Sequence, residues 1–400
     1  MTEDDGSAPP SPSQRGHFAS FDASERVSFN RLVVRHFRNL RDVALTPEPR
    51  FNLIRGDNGQ GKTSLIEAIY VLATTRSFRT TRLADVIEQG EEKAQLAARV
   101  ASRGFTRELR AEFGLRSRSF SLDGKRAKRK LDYALSTPVV AFHPGDLNLV
   151  SGPAGARRLL LDRVLVYLDP AGGEARLRFL EALRERQRAL AERGPQAREL
   201  EAYDLILAQQ GARFALARQR AVDELGRHLT ASFERMAPAG LQLTVDYRPG
   251  GTTDELDFAR RLAADRPRDF RRGAASFGPQ RDELELSLAG RAARTHASQG
   301  QQRLLALALK LAEQSSVRAI TGLDPLLLLD DVSSELDRER TRAVFEFLER
   351  TESQVFVTTT RPELFDGVQP NRGERGDFEL AEGRLVGSRQ PSSKLPGTSG

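Results

Sequence analysis

Residues 51–73 read FNLIRGDNGQGKTSLIEAIYVLA, and the change of texture along them decides the fold. FNLIR is a short apolar run of strand type, and KTSLIEAIYVLA is an apolar helix. Between them Gly56 to Thr63, GDNGQGKT, fits G-x-x-x-x-G-K-[ST]. The glycines permit backbone conformations that turn N–H groups inward around phosphate oxygens. Lys62 can then reach the outer phosphates, and the Thr63 hydroxyl is placed for Mg2+. A ligand-free glycine turn is the bland alternative, but strand, loop and helix in this order supply the context a phosphate loop needs.

A second stretch, LLLLDDVSSELD at residues 326–337, reads as a strand buried on both faces. Two adjacent carboxylates at its C-terminal end are costly unless something occupies them. Asp330 is expected to hold Mg2+ through its water shell, and Asp331 to polarise an attacking water as general base. The competing reading has the two Asp capping a turn. Lys62 and Asp330 are 330 − 62 = 268 residues apart, which implies an insertion between the two parts of one site.

The third stretch is THASQGQQRLLALALKLAE, residues 295–313. Ser298 followed by Gln301 fits a capping box, and Leu304, Leu307 and Leu311 share one helical face. Ser, Gly and Gln at a helix start also suit a phosphate, because free N–H groups and the helix dipole point at it. Lying just before the LLLLDD strand, Ser298, Gln299, Gly300 and Gln301 resemble the signature motif of ABC ATPases. In that superfamily the signature of one protomer closes on the γ-phosphate held by another.

The chain has 400 residues, 39% of them hydrophobic, enough for two or three domains. No apolar run of roughly 18 residues spans a membrane, and the N-terminal MTEDDGSAPPSPSQRG lacks the marks of a secretory signal. Cys is absent, and the five His are scattered, so no structural metal site is expected. A cytoplasmic, nucleoid-associated protein is the expectation. Net charge is +7, and residues 103–130 carry ten Lys/Arg against three Asp/Glu, a local excess of 10 − 3 = +7. That concentration makes the segment a candidate contact for a nucleic-acid backbone, through Arg110, Arg126, Lys128, Arg129 and Lys130. A solvated β-surface is the alternative.

Residues 1–25 and 388–400 are rich in Pro, Ser and Gly and read as disordered tails. Residues 26–154 and 271–387 carry the strand patterns and motifs, including the strands KAQLAARVAS, FTRELRAEFGL and RSFSLDGKRA with a turn at Asp123-Gly124. Residues 155–270 form an inserted, mainly helical lobe, with two or three long helices before Met236 and short strands after Leu241. QVFVTTT is the terminal strand. The fold class is α/β: a phosphate-loop mixed sheet with flanking helices, of ABC-ATPase head type.

HFRNL, GDNGQGKTSLIEAIYVLATTRSFR, FHPGDLNLVSGPAGARRLLLD, GPQRDELELSLAG, SQGQQRLLALALKLAE, LLLLDDVSSELD and QVFVTTT together resemble the RecF family of recombination mediators. They extend from about residue 28 to 386. The resemblance implies a weak DNA-dependent ATPase, using ATP and Mg2+, that dimerises when ATP binds. It implies binding of double-stranded DNA near gaps or junctions, acting with RecO and RecR to load recombinase. By motif the nucleotide site is Gly56, Asp57, Asn58, Gly59, Gln60, Gly61, Lys62, Thr63 and Ser64, with Thr63 and Asp330 on the metal and Lys62 and Asp331 catalytic. The signature acts in trans, and Ser334, Glu335 and Asp337 match the D-loop at the dimer interface. Arg38, Arg76 and Arg79 sit where related heads approach nucleotide or DNA. Two departures stand out in GPQRDE: Gln280 replaces the family's His and Glu283 its Asp. Asp331, where many ABC ATPases carry Glu, implies slow hydrolysis. The alternatives are a DNA-binding module with ATP as a structural ligand and a Rad50-like ATPase partner of a nuclease. The latter would want a long coiled coil and a Cys-x-x-Cys hook, and the chain has neither. An ABC subunit energising a transporter is disfavoured by the long insertion and the basic strands.

Overall fold

The computed structural model describes residues 26–331, 348–368 and 374–389. The chain opens with β1 (Ser28–Phe37), β2 (Leu40–Leu45) and β3 (Phe51–Arg55), then α1 (Lys62–Thr74). A meander of β4 (Lys93–Ser102), β5 (Phe105–Gly114), β6 (Arg118–Leu122) and β7 (Lys125–Arg126) leads to α2 (Lys130–Leu135) and β8 (Val139–Phe142). Three helices follow: α3 (Ala154–Leu168), α4 (Pro170–Arg193) and α5 (Leu200–Glu234). Next come β9 (Leu243–Arg248), α6 (Glu255–Arg272), β10 (Glu283–Leu288), β11 (Arg291–Ala292), the single turn α7 (Ala293–His296) and α8 (Gln299–Thr321). β12 (Leu326–Asp330), β13 (Val355–Thr359), β14 (Arg375–Ala381) and β15 (Arg384–Arg389) complete the described elements.

Twelve strands make one mixed sheet in the order β7-β6-β5-β4-β1-β2-β15-β14-β3-β13-β12-β8. Its β14-β3-β13-β12-β8 part is parallel throughout. There β12 and β13 are buried at every position, as expected of strands covered on both faces. The meander differs. In β4 and β5 buried and exposed positions alternate, so one face packs inward and the other meets solvent. Leu65, Ile66, Ile69 and Leu72 of α1 share one core with Leu96 and Leu109 of that inner face and with Val34 of β1. Each such side chain contributes about 1.5–3 kcal/mol of burial, which fixes α1, and so the loop before it, against the sheet.

A second core joins α3, α5, α6 and α8 to the small antiparallel sheet β11-β10-β9. Gly211 in α5 permits it: a Cβ there would lie 2.5 Å from Cζ of Phe258 on α6. The α/β head with a large mixed sheet, three long helices before Met236, and the strands expected around both motifs are all present. Two elements were not anticipated. α6 has ten charged residues among its eighteen and buries only Phe258, Leu262 and Asp269, with Pro267 inside it. So thin an apolar stripe gives almost no periodic signal. Its ends were readable, because Asp254 caps it by accepting from Asp257 N–H and Gly273 closes it at φ 65°. The β14–β15 hairpin turns at Glu382-Gly383, both with positive φ, and its second strand runs to Arg389, into the segment read as tail. Among the described residues no helix is long and apolar enough to cross a membrane.

Candidate nucleotide site and basic surface

Parallel pairing places the C-terminal ends of β3, β13 and β12 side by side, with Thr358 opposite both Ile54 and Asp330. At that edge Thr63 Oγ1 donates to Asp330 Oδ1 at 2.9 Å, and Thr358 Oγ1 donates to the same oxygen at 2.8 Å. Thr358 Oγ1 also accepts the Asp331 N–H at 3.0 Å. Lys62 folds into the loop, its Nζ donating to the carbonyls of Gly56 and Asp57, both at 2.8 Å. Lys62 and Asp330 are 8% and 4% exposed. Burial pushes the Lys62 ammonium below its ordinary value, opposed by the carboxylates of Asp331, Asp330 and Asp57. Burial pushes the Asp330 carboxyl up, opposed by its two threonine hydrogen bonds and reinforced by Asp331. Asp331 has φ 50°, a left-handed conformation that Asp tolerates but that adds strain, as is common at functional positions.

A hydroxyl and a buried carboxylate converging at one point are hard oxygen donors that suit Mg2+. A cation there would also offset the desolvation of Asp330. Thr63 and Asp330 therefore fit the metal the motif implies.

The loop is braced from outside. Asn39, in the turn between β1 and β2, donates from Nδ2 to Gly59 O at 2.6 Å and accepts from Ser64 Oγ at 2.7 Å. The β14–β15 turn closes the other side, where Glu382 N–H binds Gln60 Oε1 and Gly383 N–H binds Gln60 O. The fit is tight. A Cβ on Gly56 would lie 2.3 Å from Leu380 O, one on Gly61 2.5 Å from Leu40 Cδ2, and one on Gly383 1.9 Å from Asn39 O. Asn39 and Gly383 are site residues that sequence reasoning missed.

Behind the loop, fully buried Glu67 of α1 gathers three donors: Arg38 at 2.8 and 3.1 Å, Ser77 Oγ at 2.5 Å and Arg79 at 3.1 Å. Arg38 and Arg79, expected near nucleotide or DNA, are thus both committed to one carboxylate. Arg110 pairs with Glu108 at 2.8 Å, and Arg129 with Asp132 at 2.9 Å and with Glu174. Arg76, Arg126, Lys128 and Lys130 have no carboxylate within ion-pair reach among the described residues. Of the eight basic candidates, these four carry charge available to an anion.

Ser298 caps α8 as the sequence suggests. Its Oγ accepts the Gln301 N–H at 3.2 Å, and Gln301 Oε1 accepts the Ser298 N–H at 2.9 Å. Ser298 and Gln299 are exposed, Gly300 and Gln301 half-buried. Among the described residues no hydrogen bond joins residues 298–301 to residues 56–64. Ser334, Glu335 and Asp337 lie outside the described residues.

Comparison with known proteins decides the family. A family model described as the RecF/RecN/SMC N terminal domain matches residues 28–373. The DNA replication and repair protein RecF of Anaeromyxobacter sp. (strain Fw109-5) is 41% identical over 366 residues, covering 89% of this chain and 97% of the relative. RecF of Myxococcus xanthus (strain DK1622) is 40% identical, covering 84% and 91%. The chain belongs to the RecF family. A solved structure of the recombination mediator protein RecF-ATP in the RecFOR pathway superposes with a TM-score of 0.82 at 27% identity, covering 92% of this chain and 99% of that one. An Smc head domain, at TM-score 0.54 and 18% identity, shows the fold alone.

The two departures from the RecF pattern sit in a structural junction. Asp282 accepts from Arg218 of α5 at 2.6 Å, from Tyr247 Oη of β9 at 2.7 Å and from Gly250 N–H at 2.7 Å. Glu283 takes a two-point bond from Arg157 of α3 at 2.7 and 2.9 Å. Burial pushes its carboxyl up, but the Arg157 bonds outweigh that and hold it below its ordinary value. Gln280 donates to Phe277 O at 2.7 Å. The GPQRDE segment thus ties α3 and α5 to the small sheet, and the longer Glu283 still reaches its arginine.

Proposed function

We propose that this chain is an ATP-driven DNA-binding recombination mediator of RecF type, and that it hydrolyses ATP slowly. One observation carries the reading: Lys62, Thr63, Asp330 and Asp331 meet at the C-terminal edge of β3 and β12 in a chain of this family. Gly56 to Ser64 would wrap the phosphates, and Lys62 would exchange its bonds to the Gly56 and Asp57 carbonyls for phosphate oxygens. Mg2+, held by Thr63 and Asp330, would neutralise phosphate charge. Asp331 would accept the proton of the attacking water, with a carboxylate one methylene shorter than Glu and so a longer reach to the water. Ser298 to Gln301 would release their internal cap and donate to the γ-phosphate held by a second copy, with Ser334, Glu335 and Asp337 at the same interface. ATP then favours the dimer because only the dimer offers both halves of the site.

In this reading residues 155–270 are a lobe inserted into the head. Double-stranded DNA near gaps or junctions lies on the basic surface, with Arg126 and Lys128 as its free cations, and RecO and RecR are the partners. The setting is the cytoplasm, on the nucleoid.

The test is solution mass by light scattering, with and without Mg-ATP. The wild type should shift from monomer to dimer, and Ser298→Arg should remain monomeric while still binding ATP. A wild-type mass indifferent to ATP, with ATP binding demonstrated, overturns the two-copy site. Asp331→Asn should bind ATP and lose turnover; undiminished turnover would remove Asp331 as the base.

A further inference from the structure

Away from the nucleotide site, a cavity of about 160 Å3 opens where α1 ends, α2 begins, and α3 and α4 pass. Its wall is apolar, with Leu131, Val139, Val166 and Tyr167 among the lining residues. Leu159 of α3 and Leu177 of α4 also line it, and they are 42% and 49% exposed.

Its charges do not balance. Of the lining cations, Arg163 is bound to Glu313 and Arg176 to Asp162 at 2.6 Å. Asp162, the cavity's one carboxylate, is already saturated, because its other oxygen takes Arg218 at 2.7 Å. Arg76 and Lys130 have no carboxylate partner among the described residues. Both stand at the exposed rim, where partial desolvation lowers the pKa of each and neighbouring cations lower it further: Arg176 and Arg163 beside Arg76, against a smaller pull from Tyr70 and Asp162, and Arg118 and Arg76 beside Lys130. An anion placed here relieves that repulsion, while the exposed leucines ask for an apolar group.

We propose that this cavity docks an acidic peptide of a partner protein, seating an apolar side chain between Leu159 and Leu177 with flanking carboxylates on Arg76 and Lys130. A nucleic-acid backbone would satisfy the two cations but leave both leucines in water. An acidic peptide with an apolar centre satisfies both, the usual plan of an apolar anchor ringed by charge. The inference does not depend on the nucleotide reading, since no phosphate-loop residue lines the cavity.

The test uses the full chain and a fluorescein-labelled hexapeptide, acetyl-Asp-Asp-Phe-Leu-Asp-Asp, read by fluorescence anisotropy. Two controls replace its four Asp by Asn, or its Phe-Leu by Ser-Ser. The parent peptide should bind, with both controls weaker by about tenfold or more. Leu177→Asp, an exposed substitution, should weaken the parent peptide by about the same factor while ATP binding and 30-base-pair duplex binding stay at wild-type level. Equal binding of the Ser-Ser control would mean charge attraction only, and overturn the proposal. So would peptide binding unchanged in Leu177→Asp. Equal loss of duplex and peptide binding in Leu177→Asp would make the cavity part of the DNA surface, and would overturn it too.

Discussion

The phosphate loop and the start of α8 are both glycine-bearing helix N-termini, yet they are finished in opposite ways. α1 begins after Gly61 with no side-chain cap among the described residues, and the loop before it is braced by Asn39, by Gln60 and by the Gly383 turn. α8 begins with Ser298 and Gln301 satisfying each other. A helix start can thus be left open or closed on itself by the choice of its cap residues alone. The first terminus is shaped from outside and ready for an anion at all times. The second is chemically complete alone and stable in water, and in the proposed two-copy site it gives up its cap only when a ligand arrives.

The closed terminus of α8 depends first on how that helix is anchored. Glu313, 1% exposed, binds Arg163 of α3 and Lys310. Burial pushes its carboxyl up, but the two cations outweigh that and hold it down to about 2. A depressed carboxylate contributes stability that is present above its unfolded value, 4.5, and is lost as pH falls from there to about 2. Glu313→Gln leaves buried Lys310 and half-buried Arg163 uncompensated and should cost about 3–5 kcal/mol at pH 7 by denaturant unfolding. It should also flatten the acid limb between those pH values. A variant as stable as wild type would break the claim that α8 is anchored there.

Next in size, Lys62→Ala should slow ATP hydrolysis by about 100-fold or more while leaving α8 and its cap intact. Rates within a few-fold of wild type would remove Lys62 from the chemistry. Gly383→Ala should weaken the brace: its φ is 72° and its Cβ would meet the Asn39 carbonyl. We expect about 1–3 kcal/mol of destabilisation together with weaker ATP binding, measured by melting and by nucleotide titration. Lost stability with unchanged ATP affinity would show that the loop holds its shape without the turn. Smallest is Ser298→Ala, which should cost about 1 kcal/mol in melting experiments. If ATP-dependent dimerisation survives it unchanged, the hydroxyl is a cap and nothing more.

Much of the candidate site's placement was legible because phosphate and metal chemistry need fixed residue types at short spacing: Gly56 to Gly61 join β3 to α1, Asp330-Asp331 stand at the end of β12 and Ser298 to Gln301 at the start of α8. The braces were not, because they join residues far apart in sequence. Asn39 meets Gly59, and Gln60 meets Glu382, 322 positions on. No local pattern encodes such a contact. The basic segment was legible as net charge but not as available charge. Arg79 is neutralised by Glu67, which only the fold brings near, while Arg129 has both a local partner, Asp132, and a distant one, Glu174. Arg110 was readable, since Glu108 two residues away on a strand shares its face. In the fold, α6 escaped because its charge hides its period, and β14 because Glu-Gly is a weaker turn signal than Asn-Gly.

The Gly383 turn also bears on the order in which the molecule becomes competent. A ribosome completes the phosphate loop early and makes its brace 383 − 60 = 323 residues later. At synthesis rates of about 5–20 residues per second, that is roughly half a minute during which α1 can form without the brace its loop needs. A nascent or clipped chain that lacks the Gly383 turn would carry the whole GDNGQGKT motif and, in the proposed reading, still hold nucleotide poorly.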